Sequence, residues 1–309
     1  MYPIKRLMIG IDQSPMDDLL LKFTAGFASL TDIDKVYIIH AARNLELPEP
    51  LTTKYPDLIA PVDENIFRET TQSINKFFPS GLKSRTEMLV LEGNPFQTIL
   101  KETVVKEIDL VVMGKKSKPA STGVLARKLT LLGNCSMAIV PRNFKPEKDQ
   151  NMFRKILVPV DFSEHSRMAA EMAGELAGRA SIRIDCQYIY RVPPGYNYSA
   201  KSLKELSKLV VDNAKKEMGE LLKKARLHPE KVKQVFTYDE HQDIPGMISL
   251  AADRNHYDLV VMGSQGRTAA ASILLGSNAE KVIDLVHVPV LVMKDKHHNL
   301  GLVEALLNM

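Results

Sequence analysis

The chain has 309 residues, about twice the roughly 100–200 of a typical domain, which favours two domains over one. Apolar residues make up 45% and charged residues 25%, a globular balance that excludes global disorder, collagen-like sequence and low-complexity sequence. A formal charge of +4 is too small for this length to indicate nucleic-acid binding, and two distant cysteines, Cys135 and Cys186, make neither a disulfide framework nor a zinc site.

In chain order, Arg6-Leu7-Met8-Ile9-Gly10-Ile11-Asp12 is a short apolar run closed by an acid. With Asp17 and Asp18 close behind, it is too short for a signal-peptide core and predicts a strand. Asn94 followed by Pro95 reads as a helix start, an N-cap and then the residue that suits the first helical position. Asp109–Gly114 predicts a strand, Met137–Val140 another, and residues 143–151 a polar, proline-bearing linker. Beyond it, Lys155–Val160 predicts a strand and Ser163–Ala180 a helix, with Met168, Met172 and Leu176 at helical spacing. Ile182–Tyr190 predicts a strand, Ser202–Arg226 a long amphipathic helix and Val232–Thr237 a strand. Asp243 caps a helix reaching Asn255, followed by the strand Asp258–Met262, the helix Ser277–Val286 and the strand Pro289–Met293. No window approaches the eighteen or so apolar residues needed to cross a bilayer, so the expectation is a soluble, cytoplasmic protein without membrane insertion.

The chain repeats itself. Asp109-Leu110-Val111-Val112-Met113-Gly114 recurs as Asp258-Leu259-Val260-Val261-Met262-Gly263, an offset of 149 (258 − 109). Arg6–Ser14 resembles Lys155–Ser163 at that same offset of 149 (161 − 12, from the aspartates). Two distant matches at one offset indicate a duplication, with residues 1–142 and 152–296 as copies and 297–309 as a tail. Each copy reads βαβαβαβαβ. The expected fold class is therefore α/β, two tandem doubly wound parallel five-stranded sheets of Rossmann-like order 3-2-1-4-5. In that order ligands bind at the carboxyl ends of strands one and four, which are Asp12 and Gly114 in the first copy and Asp161 and Gly263 in the second.

From Gly263 the second copy runs Gly263-Ser264-Gln265-Gly266, then nine residues, then Gly276-Ser277-Asn278, a G-x2-G-x9-G-S spacing. Glycines at a strand end let backbone approach a ligand closely, and Gly276-Ser277 at a helix start offers N–H groups to an anion, naturally a phosphate. The first copy keeps Asp12 and Met113-Gly114 but continues Lys115-Lys116-Ser117-Lys118. Aligning the last strands there places Val124-Leu125 at the Gly-Ser position, or Arg127-Lys128 if no gap is allowed. Its basic loop reads as a solvated face beside a site without a phosphate cradle, with a different anion as the alternative.

With these repeats and this glycine pattern, the chain resembles a tandem universal stress protein, two UspA-like domains in one chain, the second of the ATP-binding type. The resemblance implies adenine near Asp161, Pro159 shaping that strand end, Ile189 against the base, and Met262 and Gly263 beside ribose and phosphates. Gly266, Gly276, Ser277 and Asn278 would cradle the triphosphate with magnesium; Gln265 stands where a histidine is frequent, and Asn278-Ala279 departs from the residues often used on the phosphates. UspA-like domains also pair through their last strands, which implies an internal pseudo-dimer and, beyond it, a homodimer.

No P-loop, G-x-G-x-x-G, G-x-S-x-G or H-E-x-x-H motif occurs. Ser163 and His165 read as a helix start, His297-His298 as too few ligands for a metal, and the cysteines as inert core, so no catalytic residue is assigned. The tail places Leu300, Val303, Leu306 and Leu307 at helical spacing for a short docking helix, or it frays. Three functions stay open: an ATP-binding stress regulator, a nucleotide-free interaction module, and a slow ATP-hydrolysing or adenylyl- or phosphoryl-transferring enzyme.

Overall fold

The computed structural model describes residues 3–44, 62–115, 123–145, 152–191, 203–266 and 275–296, with Gly301, Val303 and Ala305 of the tail. The first copy runs β1 (Arg6–Ile11), α1 (Met16–Ser29), β2 (Lys35–Ala42), α2 (Val62–Phe77), α3 (Ser80–Lys83), β3 (Thr86–Glu92), α4 (Pro95–Val105), β4 (Leu110–Lys115), α5 (Val124–Leu132) and β5 (Ser136–Pro141). The second runs β6 (Lys155–Val160), α6 (Glu164–Gly178), β7 (Arg183–Tyr190), α7 (Leu203–Lys224), β8 (Val232–Tyr238), α8 (Ile244–Arg254), β9 (Leu259–Gly263), α9 (Ser277–Leu285) and β10 (Val290–Met293). A 3₁₀ turn at Pro229–Lys231 stands in place of α3.

Each copy has the expected order 3-2-1-4-5, and the two pair through their last strands, as the resemblance implies. The strands form one ten-stranded sheet, β3-β2-β1-β4-β5-β10-β9-β6-β7-β8. Its halves meet where β5 and β10 pair antiparallel, Ile139 opposite Val290 and Ala138 opposite Leu291. Two open sheets ending in buried apolar strands expose unpaired N–H and C=O groups, and joining them satisfies both edges at once.

Central strands alternate between two apolar layers, one on each face, as parallel sheets covered on both sides require. Leu7, Ile9, Leu110 and Val112 enter one layer with Ile156, Val158, Leu259 and Val261. Met8, Val111 and Met113 enter the other with Leu157, Val260 and Met262. Each layer therefore runs through both copies. Phe23 of α1 packs edge-on against Phe153, before β6, with centroids 5.8 Å apart.

The repeated aspartates are structural. Asp109 Oδ2 accepts from Lys5 and Arg6 N–H at 2.9 and 2.8 Å, and Asp258 Oδ2 accepts from Arg154 and Lys155 N–H at 2.8 and 2.9 Å. Each pins the start of its copy's first strand beside the fourth. Asn94 and Asp243 at the helix starts also act as predicted: Asn94 accepts from Phe96 and Gln97 N–H, and Asp243 accepts from Gly246 N–H.

Two buried lysines tie the copies together. Lys115, at the end of β4, is 7% exposed and donates to the carbonyls of Ile283 (2.8 Å), Asp284 and Val286 (3.3 Å) at the end of α9. Lys294, just after β10, is 6% exposed and donates to Gly133 O at 2.8 Å, at the end of α5. Each lysine serves the C-terminus of the other copy's last helix, where unpaired carbonyls and the helix dipole favour a cation. Arg127 of α5 also pairs with Glu280 of α9. In the tail, Gly301, Val303 and Ala305 are helical and Val303 is fully buried in the second layer. Leu300, Leu306, Leu307 and His297-His298 lie outside the described residues, as do residues 146–151 of the linker.

Candidate functional site

The site begins with the turn after β6. Asp161 Oδ1 accepts from Ser163 N–H at 3.1 Å, and Ser163 Oγ accepts from Ser166 N–H at 3.2 Å to cap α6. The residue between them, Phe162, is left-handed at φ 64°, uncommon for a bulky side chain. Its ring lies 4.6 Å from that of Tyr188, a contact that holds the turn in place. Ser163 is thus a helix cap, as its position predicts, and His165 packs its Cβ and backbone beneath Gly263.

Where β6 and β9 end, a cavity of 390 Å³ opens between the sheet, α8 and the start of α9. All ten residues singled out in the sequence line it: Pro159, Asp161, Ile189, Met262, Gly263, Gln265, Gly266, Gly276, Ser277 and Asn278. Sequence reasoning missed Val160, Ser166, Gln187, Ile244, Ile248, Ser264, Leu275 and Ala279. A period-two signal leads from Ile189 back to Gln187, and an i, i+4 signal links Ile244 to Ile248 at the start of α8.

The glycines do different work. A Cβ on Gly263 would lie 2.6 Å from His165 Cβ and 2.7 Å from its carbonyl carbon, so this glycine is required by helix packing. It lines the cavity as well, so helix packing and the site both bear on this position. A Cβ on Gly266 would lie 2.6 Å from Asp161 Oδ2, which seats the glycine loop directly on the carboxylate. Gly276 is the N-cap of α9, and its N–H donates to Ser264 O at 2.8 Å. The first helical bond runs from Glu280 N–H to Gly276 O. Ser277, Asn278 and Ala279 make up the turn before it, whose N–H groups have no acceptor within an α-helix, and all three line the cavity.

The first copy differs at nearly every polar position. Gly123 caps α5 as Gly276 caps α9, an offset of 153 (276 − 123) against 149 at the strand ends. The loop is therefore four residues shorter, and the expected alignment of Val124-Leu125 with Gly276-Ser277 is off by one. Val124 and Leu125 stand at the places of Ser277 and Asn278, behind a glycine that the first copy keeps. Lys115 takes the place of Ser264 and is committed to α9, while Lys116, Ser117 and Lys118 lie outside the described residues. Asp17 replaces Ser166 and accepts from Asp12 N–H at 3.2 Å. Burial, reinforced by the Asp12 charge, pushes its carboxyl up from 3.8 to about 6.

Elsewhere the chemistry is quiet. Cys135 and Cys186 are free and buried, and burial pushes both thiols up to about 12, the condition of inert core cysteines. Burial lowers Lys294 from 10.5 to about 8. Among the described residues no three His, Cys, Asp or Glu side chains are grouped to hold a metal, and no helix is long and apolar enough to cross a membrane.

The sequence profile of the universal stress protein family matches residues 3–141 and again 152–294. The chain belongs to this family, twice over. A universal stress protein of Methanocaldococcus jannaschii is 34% identical over 146 residues, which are 47% of this chain and 84% of that protein. A second from the same organism is 30% identical over 162 residues, covering 47% of this chain and 98% of that protein. Among solved structures, a universal stress protein of Archaeoglobus fulgidus superposes with a TM-score of 0.67 at 17% identity, over 95% of this chain and all of that one (100%). At that identity the likeness establishes the tandem fold and nothing finer.

Proposed function

We propose that the second copy binds ATP and that the chain is a cytoplasmic stress-response regulator with one nucleotide site. The observation that carries this reading is the convergence of Asp161, the Gly263–Gly266 loop and the N-terminus of α9 on one 390 Å³ cavity. That volume falls within the roughly 300–1,000 Å³ of small-molecule sites. A helix N-terminus with its first N–H groups facing a cavity favours phosphate. The cavity's inner walls, Pro159, Ile189, Ile244 and Ile248, are apolar and suit a base.

In this reading adenine lies against Pro159 and Ile189 with its amine toward Asp161, a charge-assisted bond. Met262 and Gly263 border the ribose, and Gln265, Gly266, Gly276, Ser277 and Asn278 border the phosphates. Magnesium is usually held through phosphate oxygens and water with few protein carboxylates, so it would arrive on the nucleotide. The first copy brings Asp12 and Asp17 together at its mouth, with Val124 and Leu125 at the helix start, an arrangement unfavourable to a polyphosphate.

The test is nucleotide content. Purified protein is incubated with magnesium and ATP, freed of excess, denatured, and its nucleotide quantified by chromatography. About one ATP per chain is expected on this reading. No nucleotide, with none bound on direct titration, overturns it in favour of an interaction module, and ADP accumulating with time turns it into an enzyme. A homodimer would need a face other than the last strands, because β5 and β10 are hydrogen-bonded on both sides.

A further inference from the structure

A glutamine sits in the floor of the cavity where the fold has no need of one. Gln187 of β7 is 3% exposed. Its Nε2 donates to Thr237 Oγ1 of β8 at 3.0 Å, which fixes the plane of the amide, and its Oε1 is buried without a hydrogen-bond partner. Buried amide oxygens are nearly always paired, and an unpaired one is costly. The other copy shows that an apolar residue is accepted here. Gln187 pairs with Pro159 as Ile39 pairs with Gly10, and Ile39 is fully buried.

Gln187 and Ile189 share one face of β7 and both line the site, with Gln187 about 7 Å farther from the strand's carboxyl end. It therefore lies deeper than Asp161, Gly266 and the start of α9, on the side where a base rather than a phosphate would rest. It also borders a neighbouring cavity of 310 Å³ beneath α8.

We propose that Gln187 reads the base: its Oε1 accepts one N–H of the 6-amino group, the other being left to Asp161, so the site selects a 6-aminopurine nucleotide over a 6-oxopurine one. The inference rests on the second copy being the nucleotide site. An amino group satisfies the orphan oxygen, whereas an oxo group at the same place sets oxygen against oxygen, and the N1–H of an oxopurine reaches Oε1 only if the base shifts from its seat. Sites built to hydrogen-bond a ligand group discriminate strongly against the analogue lacking it. Thr237 acts as a positioning residue, since its hydroxyl holds the amide with the oxygen free.

The experiment compares ATP and inosine triphosphate binding by calorimetry, each with magnesium, for the full chain and for Gln187→Met and Gln187→Ile. The isoleucine variant copies the residue the other half already carries, and a thermal melt checks that both variants fold. The wild type should prefer ATP by about tenfold or more, and both variants should lose ATP affinity until the preference falls below about twofold. ATP bound by the wild type with no preference, or a preference that survives both substitutions, overturns the role of Gln187 while leaving the nucleotide site intact. Failure of the wild type to bind either nucleotide removes the site and this inference together. Thr237→Val should narrow the ATP preference while Gln187 remains.

Discussion

The two copies share a fold and differ in the crevice. Both keep an aspartate after the first strand, a left-handed residue behind it (Gln13 at φ 57°, Phe162 at φ 64°), a glycine at the end of the fourth strand and a glycine cap on the last helix. These are the parts the backbone needs. What separates the copies is the set of side chains around that frame: Ser277 and Asn278 against Val124 and Leu125, Ser166 against Asp17, Ser264 against Lys115, Gln187 against Ile39. A glycine pattern therefore records architecture first, and a ligand site has to be argued from the polar groups that architecture leaves without partners.

The strongest way to break the comparison is at the helix caps. Gly276→Val should cost about 100-fold in ATP affinity, about 2.7 kcal/mol, by crowding the start of α9. Gly123→Val, whose Cβ meets nothing within 4 Å, should leave nucleotide content unchanged. Equal losses in both would show that the first copy binds nucleotide too.

Next is the lysine that takes the place of Ser264. Lys115→Met leaves the carbonyls of Ile283, Asp284 and Val286 without their donor and should lower unfolding free energy by about 2 kcal/mol in a denaturant titration. Unchanged stability would mean that water replaces the amine freely.

Asp161→Ala should weaken ATP binding by about tenfold, near 1.4 kcal/mol, while Asp12→Ala leaves it alone. A clear loss at Asp12 would move the site, or a second one, into the first copy.

The smallest effect concerns Asp17. Its folded pKa of about 6 lies above the ordinary 3.8, so the native state holds this proton more tightly than the unfolded chain. The associated stability is fully present below pH 3.8 and is lost as pH rises through about 6. Asp17→Asn should remove that slope and add about 1 kcal/mol at pH 7, less than the full shift because solvent screens a part-exposed group. An unchanged pH profile would show that burial does not hold the Asp17 proton.

Much of this was legible in the sequence because its signals are local. Strands covered on both faces appear as unbroken apolar runs such as Leu110–Met113, and caps such as Asn94, Ser163 and Asp243 precede their helices by fixed steps. The candidate cavity was legible for a related reason, since strand ends in this topology converge and the spacing names them. Three features were not. The joining of the two sheets was anticipated only through the family resemblance, because an antiparallel pairing between strands about 150 residues apart is encoded by no local pattern. The cap Gly123 was hidden by a four-residue shortening next to the apolar Val124. Gln187 looked like an ordinary polar step in Ile182–Tyr190, and its importance emerges only from the atom that nothing satisfies.

The antiparallel seam also sets a schedule for synthesis. β5 is buried along its whole length in the finished molecule, yet its partner is not made until Val290–Met293 is translated. At about 5–20 residues per second, the ribosome leaves that apolar edge unpaired for roughly 8–30 s. During that interval the nascent first half carries the kind of open strand edge that joins other chains, and the length of the second copy decides how soon it is closed.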